Sequence, residues 1–425
     1  MIFRTNHYFP LVIMLAFVFN NTIVGYRLFD IAYDRMIELV IFILLFPVLM
    51  KDVQKDYKYK DIYVLFIMMI FCLILHSFIA FSQEAPYVPP TDIFRDLVRM
   101  FFFVILLMLI NFSVVRNPQS INIYLIGMFV WVLFGFFQNP FTPFTGIVND
   151  LYLTYFFDNM TQEEAEHSVR EIGYGFLPRA TGPFGFPVSY SYALLTTLIV
   201  AGFKYLQDKK NIYFYLSGFI YLVIMMTFTK SAVIAGGLVM LFLMICKSKT
   251  FTALTGLSVL LIALSVLPIE IILNSRVFDV FYEGSARINA FTAGFMTILE
   301  EPFYATSGTY IDNFYNACEM YGMRDCGVLI SSHNGFVNIT EATTIIGGLV
   351  FILLWCLLFY YSFTLPAPYR GFFAVSLVAY SIQCSLHNNM LFISEYSFIL
   401  PVVLLIREAQ KVKPSNKSTR TLLYS

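Results

Sequence analysis

From residue 9 to residue 406, long apolar runs alternate with short polar turns. About 20 apolar residues are needed to carry a helix across the hydrocarbon core of a bilayer, so each run predicts a membrane-spanning helix. The pattern places twelve spans, at about 9–26, 31–50, 62–82, 97–115, 120–138, 188–206, 212–229, 231–246, 251–273, 335–363, 371–386 and 389–406. The expected fold is all-α: a polytopic helical bundle forming one multi-span membrane domain over residues 1–425. The first apolar run carries no small-residue cleavage site and reads as the first span rather than a removable signal. No internal repeat and no low-complexity segment interrupts the pattern.

The polar positions orient the spans. Lys51, Lys55, Lys58 and Lys60 follow the second, Lys204, Lys209 and Lys210 the sixth, Lys247 and Lys249 the eighth, and Lys411, Lys413 and Lys417 the twelfth. With both termini in the cytoplasm, twelve of the thirteen lysines fall inside, as the positive-inside rule requires, and Lys230 is the exception. Two long loops then face outward, at 139–187 and 274–334. The first holds six acids against Arg170 and Arg179, the second seven acids against Arg276, Arg287 and Arg324, and neither contains lysine. Long loops in a compact bundle tend to carry function, which puts the expected working face outside.

Composition agrees with this reading. The chain is 59% hydrophobic and 13% charged, about half the charged fraction of a soluble domain. Its zero net charge conceals the lysine asymmetry. Cys72, Cys246, Cys356 and Cys384 fall in spans and read as small apolar packers. Cys318 and Cys326 share one outer loop, and an oxidising compartment would join them as a disulfide.

Ionisable groups in a chain this apolar are conspicuous, because each costs about 2.5–3.5 kcal/mol at a span centre. Lys230, in TFTKSAV, sits between two spans at their outer ends; it either snorkels or meets an anion, and a diphosphate at the membrane surface suits its point charge. Arg179 opens RATGPFGFP. Turn chemistry accounts for the glycines and prolines there but not for the arginine, a candidate oxyanion partner. Arg287, in SARINAFTAGFMTILE, lies at the start of an amphipathic pattern and is either a plain surface cation or a third partner.

The stretch SSHNGFVNITEATTIIGGLVF opens the tenth span. Asn334 is suited to cap it. Asn334, Asn338, Glu341 and Ile345 follow helical spacing, so one stripe is polar for two turns and faces a cavity or partner helices rather than lipid. A cap needs no histidine, yet His333 stands above the stripe, where a neutral imidazole could take a proton from a hydroxyl. His387, in the outer turn before the last span, is the reserve base. The chain carries no phosphate-binding glycine loop, HExxH, CxxC or GxSxG, and Asp30 with Asp34 falls short of a metal ligand set.

Four pieces, in order, resemble the O-antigen ligase and polymerase superfamily. They are RATGPFGFP, TFTKSAVIAGG, GSARINAF with EEPFYATSGTY, and the His333, Asn334, Glu341, Gly347, Gly348 pattern. They cover residues 179 to about 355. The sequence departs from the family where Lys230 replaces the usual arginine. The resemblance implies a GT-C-like, metal- and cofactor-independent glycosyltransferase that uses undecaprenyl-diphosphate-linked oligosaccharides as donor and acceptor. It would act at the outer face of the bacterial inner membrane, with membrane lipid around it, a chain-length regulator as a further partner and no nucleic acid. In that reading Arg179, Lys230 and Arg287 bind the diphosphate, and His333, supported by Asn334 and Glu341, serves the attacking hydroxyl. A polymerase of repeat units is the first expectation, and a ligase to lipid A-core the second. A glycolipid transporter, with charges lining a path through the bilayer centre, is the reading from another class.

Overall fold

The computed structural model describes residues 8–20, 39–51, 57–82, 90–138, 143–148, 179–184, 187–247, 291–299, 302, 334–385 and 396–412. Among them the structure is helical, with no strand. In chain order the helices are α1 (Phe9–Asn20), α2 (Leu39–Lys51), α3 (Tyr57–Ser82), α4 (Pro90–Arg116), α5 (Ser120–Phe137), α6 (Pro187–Asp208), α7 (Asn211–Met226), α8 (Lys230–Lys247), α9 (291–299), α10 (Gly335–Phe363), α11 (Tyr369–Ser385) and α12 (Ile399–Lys411). Eleven of the predicted spans overlap one of these helices in whole or in part, while 251–273 and parts of 9–26, 31–50 and 389–406 lie outside the described residues. Leu97–Arg116, Ser120–Phe137, Lys230–Lys247 and Thr343–Phe363 are each long and apolar enough to cross a membrane.

The centre of the bundle is α6. It is buried on all sides from Tyr190 to Leu206, as expected of a helix that is apolar all round. Its few polar side chains are tied to neighbouring helices or to its own backbone. Ser191 accepts from Gln383 Nε2 at 2.7 Å, Thr196 bonds the Tyr380 hydroxyl, and Thr197 lies 3.4 Å from the Tyr124 hydroxyl and donates to Ala193 O at 2.7 Å. These bonds matter because an unmet polar group in this setting costs about 1–3 kcal/mol. Gly202 lets three helices close together: a Cβ there would come within 2.9 Å of Leu243 on α8 and 3.0 Å of Phe372 on α11. Small residues at such crossings are how membrane helices gain close packing without a hydrophobic driving force.

Large apolar side chains also face outward. Ile67 and Phe71 on α3, Ile126 and Val130 on α5, and Leu349 and Leu353 on α10 are all exposed. A water-soluble surface rarely tolerates apolar patches of that extent, so this is the architecture of a helical membrane protein.

Residues 335–363 depart from the single straight span that the sequence predicts. Thr344 has φ 65° and ψ 174°, which breaks the helix into α10a (335–343) and α10b (345–363). Along a straight helix, Phe336 and Phe351 would stand about 22 Å apart. Their ring centroids are 5.3 Å apart, and Phe336 also lies 6.0 Å from Trp355. The chain therefore doubles back, with α10a lying along the first half of α10b. Gly347 and Gly348 make room for it: their Cβ positions fall 2.1 Å and 2.3 Å from the hydroxyls of Thr343 and Thr340. The sequence pattern missed the fold-back because no proline or glycine marks the break at Thr344 and helical spacing runs on across it.

Helix register sorts the two ends of the bundle. α11 runs antiparallel to α6 (Ser191 to Gln383, Phe203 to Phe373 at 5.9 Å) and to α8 (Phe242 to Phe372 at 6.1 Å). α10b runs antiparallel to α3, with Tyr361 donating to Asp61 at 3.0 Å. Asp208 and Glu408 both act electrostatically on Tyr369, which places the end of α12 with the end of α6. Lys60, Lys204, Lys209, Lys210, Lys247 and Lys411 thus gather at one end, and Lys230 stands at the other.

Candidate functional site

At the end away from the lysine cluster, three distant pieces of chain come to one level. The first is Arg179–Phe184. Its backbone is held by Gln138, one residue past α5. Gln138 Oε1 accepts the amides of Thr181 at 3.0 Å and Gly182 at 2.8 Å, while its Nε2 donates to the Thr181 hydroxyl at 3.2 Å. Gly182 turns at φ 53°, and a Cβ there would lie 2.5 Å from the Tyr190 ring. Only glycine meets both demands. Tyr190 is fixed in turn: its hydroxyl donates to Trp131 O at 2.8 Å and its ring stacks on Phe184 at 5.5 Å.

This anchoring aims Arg179 at the second piece, the turn between α7 and α8. Arg179 Nε donates to Thr227 O at 2.8 Å and Nη2 to the Thr229 hydroxyl at 3.0 Å. The amide of Ala180 adds a bond to Met226 O at 3.1 Å. Thr229 precedes the first residue of α8, and its carbonyl accepts the amide of Val233 at 3.0 Å. Lys230 is the next residue, half-buried. Arg179 and Lys230, 51 positions apart in the chain, are thereby brought to one turn.

The third piece is the start of α10a. Asn334 Oδ1 accepts the amides of Phe336 at 2.9 Å and Val337 at 3.2 Å, capping the helix, and its Nδ2 donates to Ser385 O at the end of α11 at 3.0 Å. Both ends of the amide are engaged, so Asn334 fixes backbone. By the registers above, Ser385 is level with Thr229 on α8 and with Ser189 and Tyr190 on α6. The starts of α6, α8 and α10a therefore share one level. Asn338, the next residue of the polar stripe, is 4% exposed. Ile345 lies past the fold at Thr344, so the stripe ends within α10a.

Among the described residues, the charges that the α7–α8 turn gathers are cations. Helix starts carry partial positive charge and favour anions by about 0.3–1 kcal/mol each. α8 begins with a lysine and has no acid in its first turn, and the Arg179 guanidinium is bonded to its capping threonine. Two cations thereby share one helix start. Among the described residues, no group of three or more His, Cys, Asp or Glu side chains could hold a metal ion.

His333, Arg287, His387, Cys318 and Cys326 lie outside the described residues, as does the side chain of Glu341. Sequence reasoning overlooked Gln138, Thr227, Thr229 and Ser385. Gln138 carried a signal, a polar amide ending an apolar run, whereas the roles of the Thr227 and Ser385 carbonyls leave no trace in residue type. No family model and no curated protein matches this chain.

Proposed function

We propose that this protein is a lipid-linked glycan transferase, and specifically a polymerase joining undecaprenyl-diphosphate-linked oligosaccharide repeat units. The observation that carries the reading is Arg179 bonded to Thr227 and Thr229 beside Lys230, at the end of the bundle opposite Lys60, Lys204, Lys209, Lys210, Lys247 and Lys411. A diphosphate leaving group develops negative charge as its bond to the sugar breaks, and fixed cations at the membrane surface stabilise it most where water is scarce.

In this reading twelve spans cross the bacterial inner membrane, both termini are cytoplasmic, and the site faces outward. The acceptor sugar hydroxyl attacks the anomeric carbon of the donor. The bond from that carbon to the lipid diphosphate breaks with inversion, the hydroxyl proton passes to His333, and the lipid diphosphate departs against Arg179, Lys230 and Arg287. Asn334 holds the backbone next to His333 in place, and Glu341 lies on the same helix. His387 is the alternative base. A Cys318–Cys326 disulfide would brace the outer loop, and a chain-length regulator would be a partner. Neither metal nor cofactor has a role in this step.

The test is the glycan made by a strain whose only copy carries Arg179→Ala or His333→Ala, with membrane insertion verified. The reading expects an acceptor bearing single repeat units and no long chains. A bare acceptor with accumulated lipid-linked polymer would instead identify a ligase. Normal chain length in both variants would contradict the reading.

A further inference from the structure

The lysine end of the bundle carries a second feature, independent of the transferase reading. At the corner where α6, α7 and α8 meet, Lys247 Nζ lies 3.9 Å from the ring centroid of Phe214 and 4.7 Å from that of Tyr215. Lys209 Nζ stands 6.0 Å from the Tyr205 ring. Lys204 is buried and committed, paired with Asp208 at 2.9 Å and bonded to Gln207 at 3.1 Å. Lys209, Lys210 and Lys247 have no carboxylate partner among the described residues. Lys209 holds a left-handed backbone, φ 57°, where glycine or asparagine would be less strained. A lysine stands there although the turn alone would favour another residue.

Beside these cations the surface becomes apolar. Ile212 is 65% and Tyr215 63% exposed, three positions apart on one face of α7. Tyr215 therefore touches Lys247 through its ring and faces outward as well. We propose that this corner binds the headgroup of an anionic phospholipid: its phosphate would meet Lys209, Lys210 and Lys247, and an acyl chain would lie on Ile212 and Tyr215. Basic pockets between helices at the cytoplasmic surface suit such headgroups, and the rings under Lys247 hold its ammonium at headgroup height without cancelling its charge. A free anion would use the lysines and leave the adjoining apolar pair without a role. A lipid uses both.

Native mass spectrometry of the full chain in detergent, offered equal phosphatidylglycerol and phosphatidylcholine, tests this directly. We expect selective retention of phosphatidylglycerol, falling on the order of fivefold for each of Lys209→Gln and Lys247→Gln. The combined Lys209→Gln, Lys210→Gln, Lys247→Gln protein should show no selectivity. Lys411→Gln, at the same end but paired with Glu408 on α12, should leave selectivity intact. Excess inorganic phosphate should not displace the lipid. Equal retention of both lipids by the unaltered protein, selectivity surviving the combined substitution, an equal loss in Lys411→Gln, or displacement by phosphate would each overturn the proposal. The single-lysine variants keep the test decisive if the combined one fails to fold.

Discussion

Arg179 and Thr229, fifty positions apart, are joined by a 3.0 Å bond from the guanidinium to the hydroxyl, and the neighbouring Thr227 carbonyl takes a second N–H of the same fork. Lysine keeps the charge but lacks the rigid planar fork that holds both acceptors in one fixed geometry. Arg179→Lys should therefore behave more like Arg179→Ala than like the native protein. A charge-assisted bond contributes about 1.5–3 kcal/mol, so long-chain product should fall about tenfold or more in Arg179→Lys. Densitometry of surface glycan on gels, normalised to protein in the membrane, measures it.

Gln138 offers a stability test that is separate from activity. Gln138→Ala would leave the buried amides of Thr181 and Gly182 without their acceptor, at about 1–3 kcal/mol for each unmet group. Thermal unfolding in detergent should shift down measurably. Gln138→Glu, which keeps an acceptor but loses the donor to Thr181, should cost less.

Gly182→Ala should be worse tolerated than alanine at an ordinary turn. Its φ of 53° disfavours any side chain, and the Tyr190 ring occupies the space where a Cβ would go. Relief of the steric half by Tyr190→Ala in the same chain, read as partial recovery of thermal stability, would separate the two causes; recovery to the level of Tyr190→Ala alone would mean the backbone contributes nothing.

The fold-back at Thr344 yields a prediction of opposite sign. A β-branched residue at φ 65°, ψ 174° sits in a region that essentially only glycine enters, at a cost of about 1–3 kcal/mol. Thr344→Gly should raise the unfolding temperature, and spin labels at Phe336 and Phe351 should report a short distance rather than the roughly 22 Å of a straight helix.

The positions of the helices were legible from periodicity because a membrane demands long apolar runs, and the lysines sorted the ends because all but Lys230 follow even-numbered spans. The resemblance grouped Arg179 with Lys230 as diphosphate partners, but the bonds that hold Arg179 to the Lys230 turn were not anticipated. What joins the two is a carbonyl, a threonine hydroxyl and the clamp from Gln138, and of these only Gln138, a polar amide ending an apolar run, left a signal in the residue pattern. The doubling back of α10 was hidden for a related reason. Its hinge is a threonine, and the glycines that receive α10a resemble those at any close helix crossing. Asn334 was legible as a cap; its bond to the end of α11 required the fold.

The most direct test of the central claim is the binding of a polyprenyl diphosphate to the purified protein, compared with the polyprenyl alcohol of equal chain length. If Arg179 and Lys230 form an oxyanion site, the diphosphate should bind at least about tenfold more tightly than the alcohol, and Lys230→Gln should remove most of that difference while leaving alcohol binding unchanged. Equal affinity for the two lipids in the native protein, or a preference for the diphosphate untouched by Lys230→Gln and Arg179→Ala, would contradict the account.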